Sequence, residues 1–128
     1  MAKLRHIAVT VSDLKKAAAF YEKTFELKVH SANDVAVSMS DGVFNLTLLK
    51  FPTDEMAGDE RGKDFVGVHH FGIWVDDLET MKQAIEAHGG KHHPGPTGHM
   101  PANAEHKFRD PYGIVFDIST HGWDGAKR

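Results

Sequence analysis

Leu4–Leu14 reads L-R-H-I-A-V-T-V-S-D-L, and Val68–Leu78 reads V-H-H-F-G-I-W-V-D-D-L. Laid 64 residues apart, the two stretches match at His, Val, Asp and Leu and are apolar together at most other positions. Each alternates as a half-buried strand and then runs into a helix start. Each carries one histidine, His6 or His70, at the same strand position. A duplicated strand with a duplicated imidazole implies two half-sites facing each other across a pseudo-twofold, which suits a metal centre.

The repeat extends into the helices. Leu14, Ala17, Ala18, Tyr21 and Phe25 fall at helical spacing, with Ser12 or Asp13 as the cap. In the second copy Leu78, Met81 and Ile85 occupy the positions of Leu14, Ala17 and Tyr21. Asp76 with Glu79 has the form of a capping box, and Gly89-Gly90 stops the helix. Short strands follow. The first half holds 35–40 and 43–50 about a turn at Asp41-Gly42, and the second holds 104–108 and 114–120 about D-P-Y-G at 110–113. The closing strands V-F-N-L-T (43–47) and V-F-D-I-S (115–119) match at an offset of 72, so the second half has gained about eight residues, placed in the Pro/Gly loop 92–101. The polar, glycine-bearing stretch 51–65 reads as a solvated connector or as a lid over a site. The organisation expected is one domain over 1–128: a first module at about 1–50, a linker at 51–66, a second module at about 67–121 and a tail at 122–128. Trp123 stands among polar residues in that tail and is expected to dock.

Length and composition bound the class. At 128 residues the chain has enough length for its own core. Its net charge of −3, with both signs mixed, gives no electrostatic case for nucleic acid. No cysteine is present, which excludes disulfides and thiolate metal sites. No signal peptide or membrane span is visible, so a cytoplasmic protein is the expectation. Ten histidines are an unusually high share.

Strand alternation sorts the side chains. Ile7, Val9 and Val11 share the helix face, leaving His6 with Leu4, Ala8 and Thr10 on the other. Phe71, Ile73 and Val75 face the second helix, leaving His70 with Val68, Gly72 and Trp74, and His69 opposite to His70. Ala8 and Gly72 are small and leave room beside the imidazoles. On the closing strands Asn45 and Thr47, and Asp117 and Ser119, fall on the face away from the helices. A carboxylate such as Asp117 among apolar neighbours must be paired or coordinated. His6, Asn45, His70 and Asp117 therefore point into one concavity.

The two H-[IF]-[AG]-[VI]-x-V-x-D-L strands, the F-Y of the first helix and F-R-D-P-Y-G-I-V-F-D at 108–117 make the chain resemble the vicinal oxygen chelate superfamily, which includes glyoxalase I, bleomycin-resistance proteins, fosfomycin-resistance enzymes and extradiol dioxygenases. The resemblance implies an α+β fold of two tandem βαβββ modules whose curved sheets enclose a cleft. It also implies a divalent metal (Fe, Mn, Ni, Co or Zn) held at four positions that fall here on His6, His70, Asn45 and Asp117. Family members carry Glu or Gln on the last strands. Asn45 and Asp117 are each one methylene shorter, which withdraws the oxygen by about 1.5 Å, against metal–ligand distances of about 2.0–2.2 Å. The expected ligands are thus His6, His70 and Asp117, with Asn45 as a possible fourth. That is a 2-His-1-carboxylate set with open positions. Asp117 has the alternative of pairing with Arg5, Lys107 or Arg109, and His92-His93 with His99 that of a loop metal site.

The leading expectation is an enzyme whose metal chelates neighbouring oxygens of a small substrate, lined by Ala8, Gly72, Trp74 and Thr47, with His106 and His99 as candidate general bases. Glyoxalase-type isomerisation is disfavoured because Asn45 cannot accept a proton. Extradiol cleavage fits the ligand set, yet residues 104–108 lack the tyrosine that the resemblance calls for. Phosphonate transfer needs a cationic pocket, and no Arg/Lys cluster announces one. The alternatives are a metal-free, bleomycin-resistance-like drug-binding protein, favoured by the shortened Asn45 and Asp117, and a regulatory module with a vestigial cleft. The resemblance further implies a homodimer, with each cleft formed within one chain or shared between two.

Overall fold

The computed structural model describes residues 1–58, 61–93 and 106–128. Its order is β1 (Lys3–Thr10), α1 (Leu14–Phe25), β2 (Lys28–Ala32), β3 (Ala36–Ser40), β4 (Asn45–Leu49), α2 (Asp54–Ala57), β5 (Gly67–Trp74), α3 (Leu78–Ala87), β6 (Lys91–His92), β7 (His106–Arg109) and β8 (Val115–Ser119). Apart from α2, the second half repeats the first, β-α-β-β-β for β-α-β-β-β. Among the described residues the eight strands form one curved sheet in the order β2-β3-β4-β1-β5-β8-β7-β6. The opening strands β1 and β5 lie antiparallel at its centre, and each pairs in parallel with the last strand of its own half.

Each half buries its own apolar cluster against its helix. Leu14, Val37, Met39 and Leu48 gather with Ala17, Ala18 and Tyr21 of α1; Val75, Phe108, Phe116 and Ile118 gather with Leu78, Met81 and Ile85 of α3. Asp13 caps α1 by accepting from the Lys16 amide, as the pattern predicts. The cap of α3 differs by one residue. Asp77, not Asp76, accepts from the Thr80 amide, while Asp76 pairs with the N-terminal ammonium and with Arg128. Adjacent aspartates compete for one cap, and the periodicity could not rank them. The D-P-Y-G turn closes with the Gly113 amide donating to Asp110 O, Gly113 taking a positive φ of 86°. Two strands escape the sequence pattern, the wholly exposed β2 at one sheet edge and the two-residue β6 at the other. Edge strands with little burial carry no alternation to detect. Among the described residues no helix is long and apolar enough to cross a membrane.

The central pairing departs from strict alternation at two places. Leu4 pairs with Ile73 and His6 with Gly72, so Arg5 is an extra residue; Ala8 pairs with His70 and Val9 with Val68, so His69 is extra. These are β-bulges, which re-aim side chains and sharpen the twist. They are related by the same offset as the repeat, each falling on the residue before the repeat-equivalent histidine of its half. They correct three expectations. Leu4 and Val68 pair with helix-face residues, which turns them away from the His6/His70 face. His69, expected opposite to His70, is brought beside it.

Candidate metal centre

Register builds the site. Ser40 pairs with Asn45, Asn45 with His6, His6 with Gly72, Gly72 with Asp117, and Asp117 with Lys107. One row of six residues thus crosses six strands on the concave face. A second row, Ser38–Thr47–Ala8–His70, runs beside it. Partners across a ladder share a face, so the polar residues of both halves converge although they are far apart in sequence.

His6, His70 and Asp117 meet at the centre of this face. One nitrogen of each imidazole and one carboxylate oxygen lie within 4.8 Å of one another, and all three residues are buried. His6 Nε2 is 3.4 Å from His70 Nε2, and His70 Nε2 is 2.9 Å from Asp117 Oδ2. Despite that short contact, Asp117 Oδ2 is fully buried and accepts no hydrogen bond. An acceptor left in that state is costly, and a cation between the three atoms would satisfy it. The donor set of two imidazoles and one carboxylate, with no thiolate, suits a divalent ion of the first transition row. The other carboxylate oxygen, Oδ1, accepts from Lys107 Nζ at 2.9 Å. Of the three cations the sequence offered to Asp117, Lys107 is its register partner and donates to it.

Asn45 stands behind His6 and outside this three-atom group. Its amide nitrogen donates to Ser38 Oγ (2.8 Å) and to the Asp124 carbonyl (2.9 Å). A carbonyl can only accept, so the amide orientation is fixed and Oδ1 turns to His6 Nδ1 at 2.6 Å. Thr47 Oγ1 donates to the same oxygen at 2.8 Å. Asn45 therefore has all its hydrogen-bonding capacity spent within the protein, and its Oδ1 takes the proton of His6 Nδ1. That leaves His6 Nε2, the inward atom, with its lone pair. The short side chain, read from sequence as a withdrawn ligand, reaches no further than the back of the histidine.

His70 is backed in another way. Its Nδ1 lies 2.8 Å from His69 Nδ1, and His69 Nε2 lies 2.7 Å from the carbonyl of Ala57. Ala57 is the last residue of α2, the short helix in the linker, and is almost fully buried. The linker is thus no solvated connector at this point. Thr53 caps α2 and Gly58, at a φ of 93°, ends it.

The remaining predicted site residues are placed as follows. Ala8 is fully buried beside His70. The room beside Gly72 is taken by the protein's own tail. Trp123 stacks on the His6 ring at a centroid distance of 4.7 Å and an angle of 6°, and a Cβ at Gly72 would meet the indole at 2.5 Å. Trp74 shares the concave face but is covered by Gly122, donates to the Thr120 carbonyl and lies under the Arg128 guanidinium. The tail is anchored across the first half through Asp124 to Ser31, Gly125 to Ser40 and Lys127 to Val43. Of the four residues expected to line a substrate pocket, Gly72 and Trp74 lie against the tail, while Thr47 donates to Asn45 Oδ1. His106 pairs with Ile118, and Ile118 belongs to the helix-side core. Alternation gives the concave face to its neighbour Lys107, which takes His106 out of reach as a base there. Burial, then Lys82 and His92, holds the His106 pKa below the usual imidazole value. His92 packs edge-on against Phe108 and His93 is buried; His99 and positions 94–101 of the loop lie outside the described residues.

A cavity of about 310 Å³ borders His70, lined also by Val68, His69, Phe71, Ile114, Arg61 and Arg109 among others. The two arginines come from the linker and from β7, and nothing in their sequence spacing announces the pairing.

The fold has many known relatives. The protein of unassigned function BH1468 from Bacillus halodurans superposes with a TM-score of 0.70 at 19% identity, covering 92% of this chain and 93% of that one. A variant methylmalonyl-CoA epimerase of Streptomyces coelicolor, in complex with 2-nitronate-propionyl-CoA, gives 0.70 at 17% identity, over 91% and 94%. The Mn(II)-bound glyoxalase of Novosphingobium aromaticivorans gives 0.67 at 17% identity, over 100% of this chain and 42% of that one. At such identities the likeness speaks for the fold alone. No curated protein sequence matches the chain. The sequence profile of one family does match, over residues 3–118, and on that ground the chain belongs to the Glyoxalase/Bleomycin resistance protein/Dioxygenase superfamily.

Proposed function

We propose that the protein is a divalent-metal-dependent enzyme acting on a small molecule that offers two neighbouring oxygens. The observation that carries this reading is the buried, hydrogen-bond-free Asp117 Oδ2 converging with His6 Nε2 and His70 Nε2 within 4.8 Å. Those three atoms would hold the cation. When bound, such an ion supplies Lewis acidity to substrate oxygens and stabilises the charge that develops on them. The protein's own contribution is positional. Asn45 holds the His6 proton at Nδ1, Lys107 offsets the charge of Asp117, and Trp123 shields one face of the His6 ring from water.

The substrate reaches His70 through the cavity bearing Arg61 and Arg109. Its apolar walls and two guanidiniums favour a small organic anion with an apolar body. Sequestration of a bulky drug without metal is the weaker reading, because the first half of the concave face already holds the chain's own tail.

The test is metal content after purification without chelator, followed by calorimetric titration of the stripped protein with Mn(II), Fe(II), Ni(II), Co(II) and Zn(II). One ion per chain in the wild type, lost in His6→Ala, is expected. Equal binding by His6→Ala would remove His6 from the ligand set, and no binding by the wild type would end the metal reading.

A further inference from the structure

We infer that His69 is a positioning residue that sets which nitrogen of His70 is bare, and that the linker helix α2 dictates this choice. The inference deepens the metal reading above and rests on it for its consequence, but not for its geometry. The argument starts from an atom with no freedom. The Ala57 carbonyl can only accept, so the hydrogen on the 2.7 Å contact belongs to His69 Nε2. A neutral imidazole carries one N–H, so His69 Nδ1 is then an acceptor. The facing atom, 2.8 Å away, is His70 Nδ1, which must supply the hydrogen. His70 Nε2 is left with its lone pair, directed toward His6 Nε2 and Asp117 Oδ2.

The bulge explains how the relay arises. In an unbroken strand His69 would face away from its neighbour; as the extra residue opposite Ala8 and Val9 it is turned so that the two rings sit 5.1 Å apart and edge-on. Phe51, also from the linker side, packs on the outer face of His69 at 5.3 Å. His69 is buried, so water does not compete for its nitrogens. Groups that orient a metal-bound histidine through its second nitrogen typically change metal affinity by about 10–100-fold when removed.

The experiment has two arms. Long-range ¹H–¹⁵N correlation spectra of the metal-free wild type, with His70 assigned by a His70→Gln control, read the tautomer directly. The expected result is a protonated Nδ1 and a bare Nε2 on His70, and the reverse on His69. A proton on His70 Nε2 would overturn the inference, and this arm needs no altered protein beyond the control. The second arm titrates Mn(II) into stripped His69→Ala and His69→Gln. A loss of about 10–100-fold in His69→Ala, with most of it restored by His69→Gln, whose amide oxygen can still accept from Nδ1–H, is expected. Affinity in His69→Ala within about twofold of wild type would overturn it. A wild type that binds no cation yet shows the expected tautomers would sink the proposed function and leave the relay standing.

Discussion

Gly72→Ala tests whether the tail truly occupies the concave face. Gly72 is not among the glycines with positive φ, so its backbone suits alanine, and replacing a strand-interior glycine is by itself favourable by about 0.5–1 kcal/mol. The new methyl is the obstacle. It would stand 2.5 and 2.7 Å from Trp123 Cζ2 and Cη2 and 2.9 Å from His6 Cβ. The protein must either compress, at about 1–3 kcal/mol for overpacking, or release the indole and forfeit its stacking, about 0.5–1.5 kcal/mol beyond lost burial. Net of the favourable glycine term, the expectation is a destabilisation of about 1–2 kcal/mol. With Trp123 already truncated to alanine, only the His6 Cβ contact remains, and the same change costs about 1 kcal/mol or less. The measurement is urea unfolding of the wild type, both single variants and the double variant. A coupling of at least about 1 kcal/mol between positions 72 and 123 is expected. Indole emission in Gly72→Ala should shift to the red as Trp123 meets water. Additivity within about 0.5 kcal/mol would mean that Trp123 does not lie on Gly72 in solution.

Two further perturbations read the charge of the molecule. Asp117→Asn keeps the shape but removes the charge facing Lys107 Nζ; it should abolish calorimetric cation binding and lower metal-free stability by about 1–3 kcal/mol, and undiminished binding would strike Asp117 from the ligand set. Asp41 Oδ1 accepts the amides of Phe44 (2.8 Å) and Val43 (2.9 Å), the Phe44 bond being the larger cause of a pKa below the ordinary 3.8. A carboxyl depressed by folding adds stability above its unfolded pKa and loses it as pH falls through the folded one. Asp41→Asn should therefore melt below the wild type at neutral pH, the gap closing as pH falls below 3.8; a gap unchanged down to about pH 2 would refute the assignment.

The fold was legible because three independent signals repeat at one offset. Alternation in Leu4–Leu14 and Val68–Leu78, aspartates before Leu14 and Leu78, and the matched closing strands all point to the same duplicated unit. The converging triad was legible for the same reason, since a face assignment needs only parity along the strand. Parity also explains the failures. A bulge adds one residue without changing composition, so nothing in V-H-H-F-G-I-W told that His69 would turn to the side of His70 and Val68 away from it. The small residue Gly72 signalled space beside His6, but a gap in a pattern does not say what fills it. The occupant of the space at Gly72 is Trp123, whose docking was expected and whose target was not. His106 failed through register. The two-residue β6 and the loop before β7 left the strand's phase undetermined, and the pairing with Ile118 put it under α3.

The asymmetry between Asn45 and Asp117 has a structural reason that the repeat alone conceals. Each histidine needs its Nδ1 proton accepted behind it so that Nε2 is bare in front. In the first half the last-strand residue Asn45 does this at 2.6 Å. If Asp117 did the same for His70, the centre would hold two neutral imidazoles and no charge to attract a cation. If Asn45 instead turned inward beside Asp117, His6 would lose its acceptor. With Asp117 committed to the centre, the acceptor for His70 must come from outside the repeat's equivalent position. The bulge residue His69, fixed by the Ala57 carbonyl, fills that role at 2.8 Å. The bulge in the other half carries Arg5, which faces no such vacancy and binds the backbone of Leu4 and Lys127 instead. The differences between the two copies thus compensate one another, and together they leave two bare imidazole nitrogens and one carboxylate oxygen facing a common point.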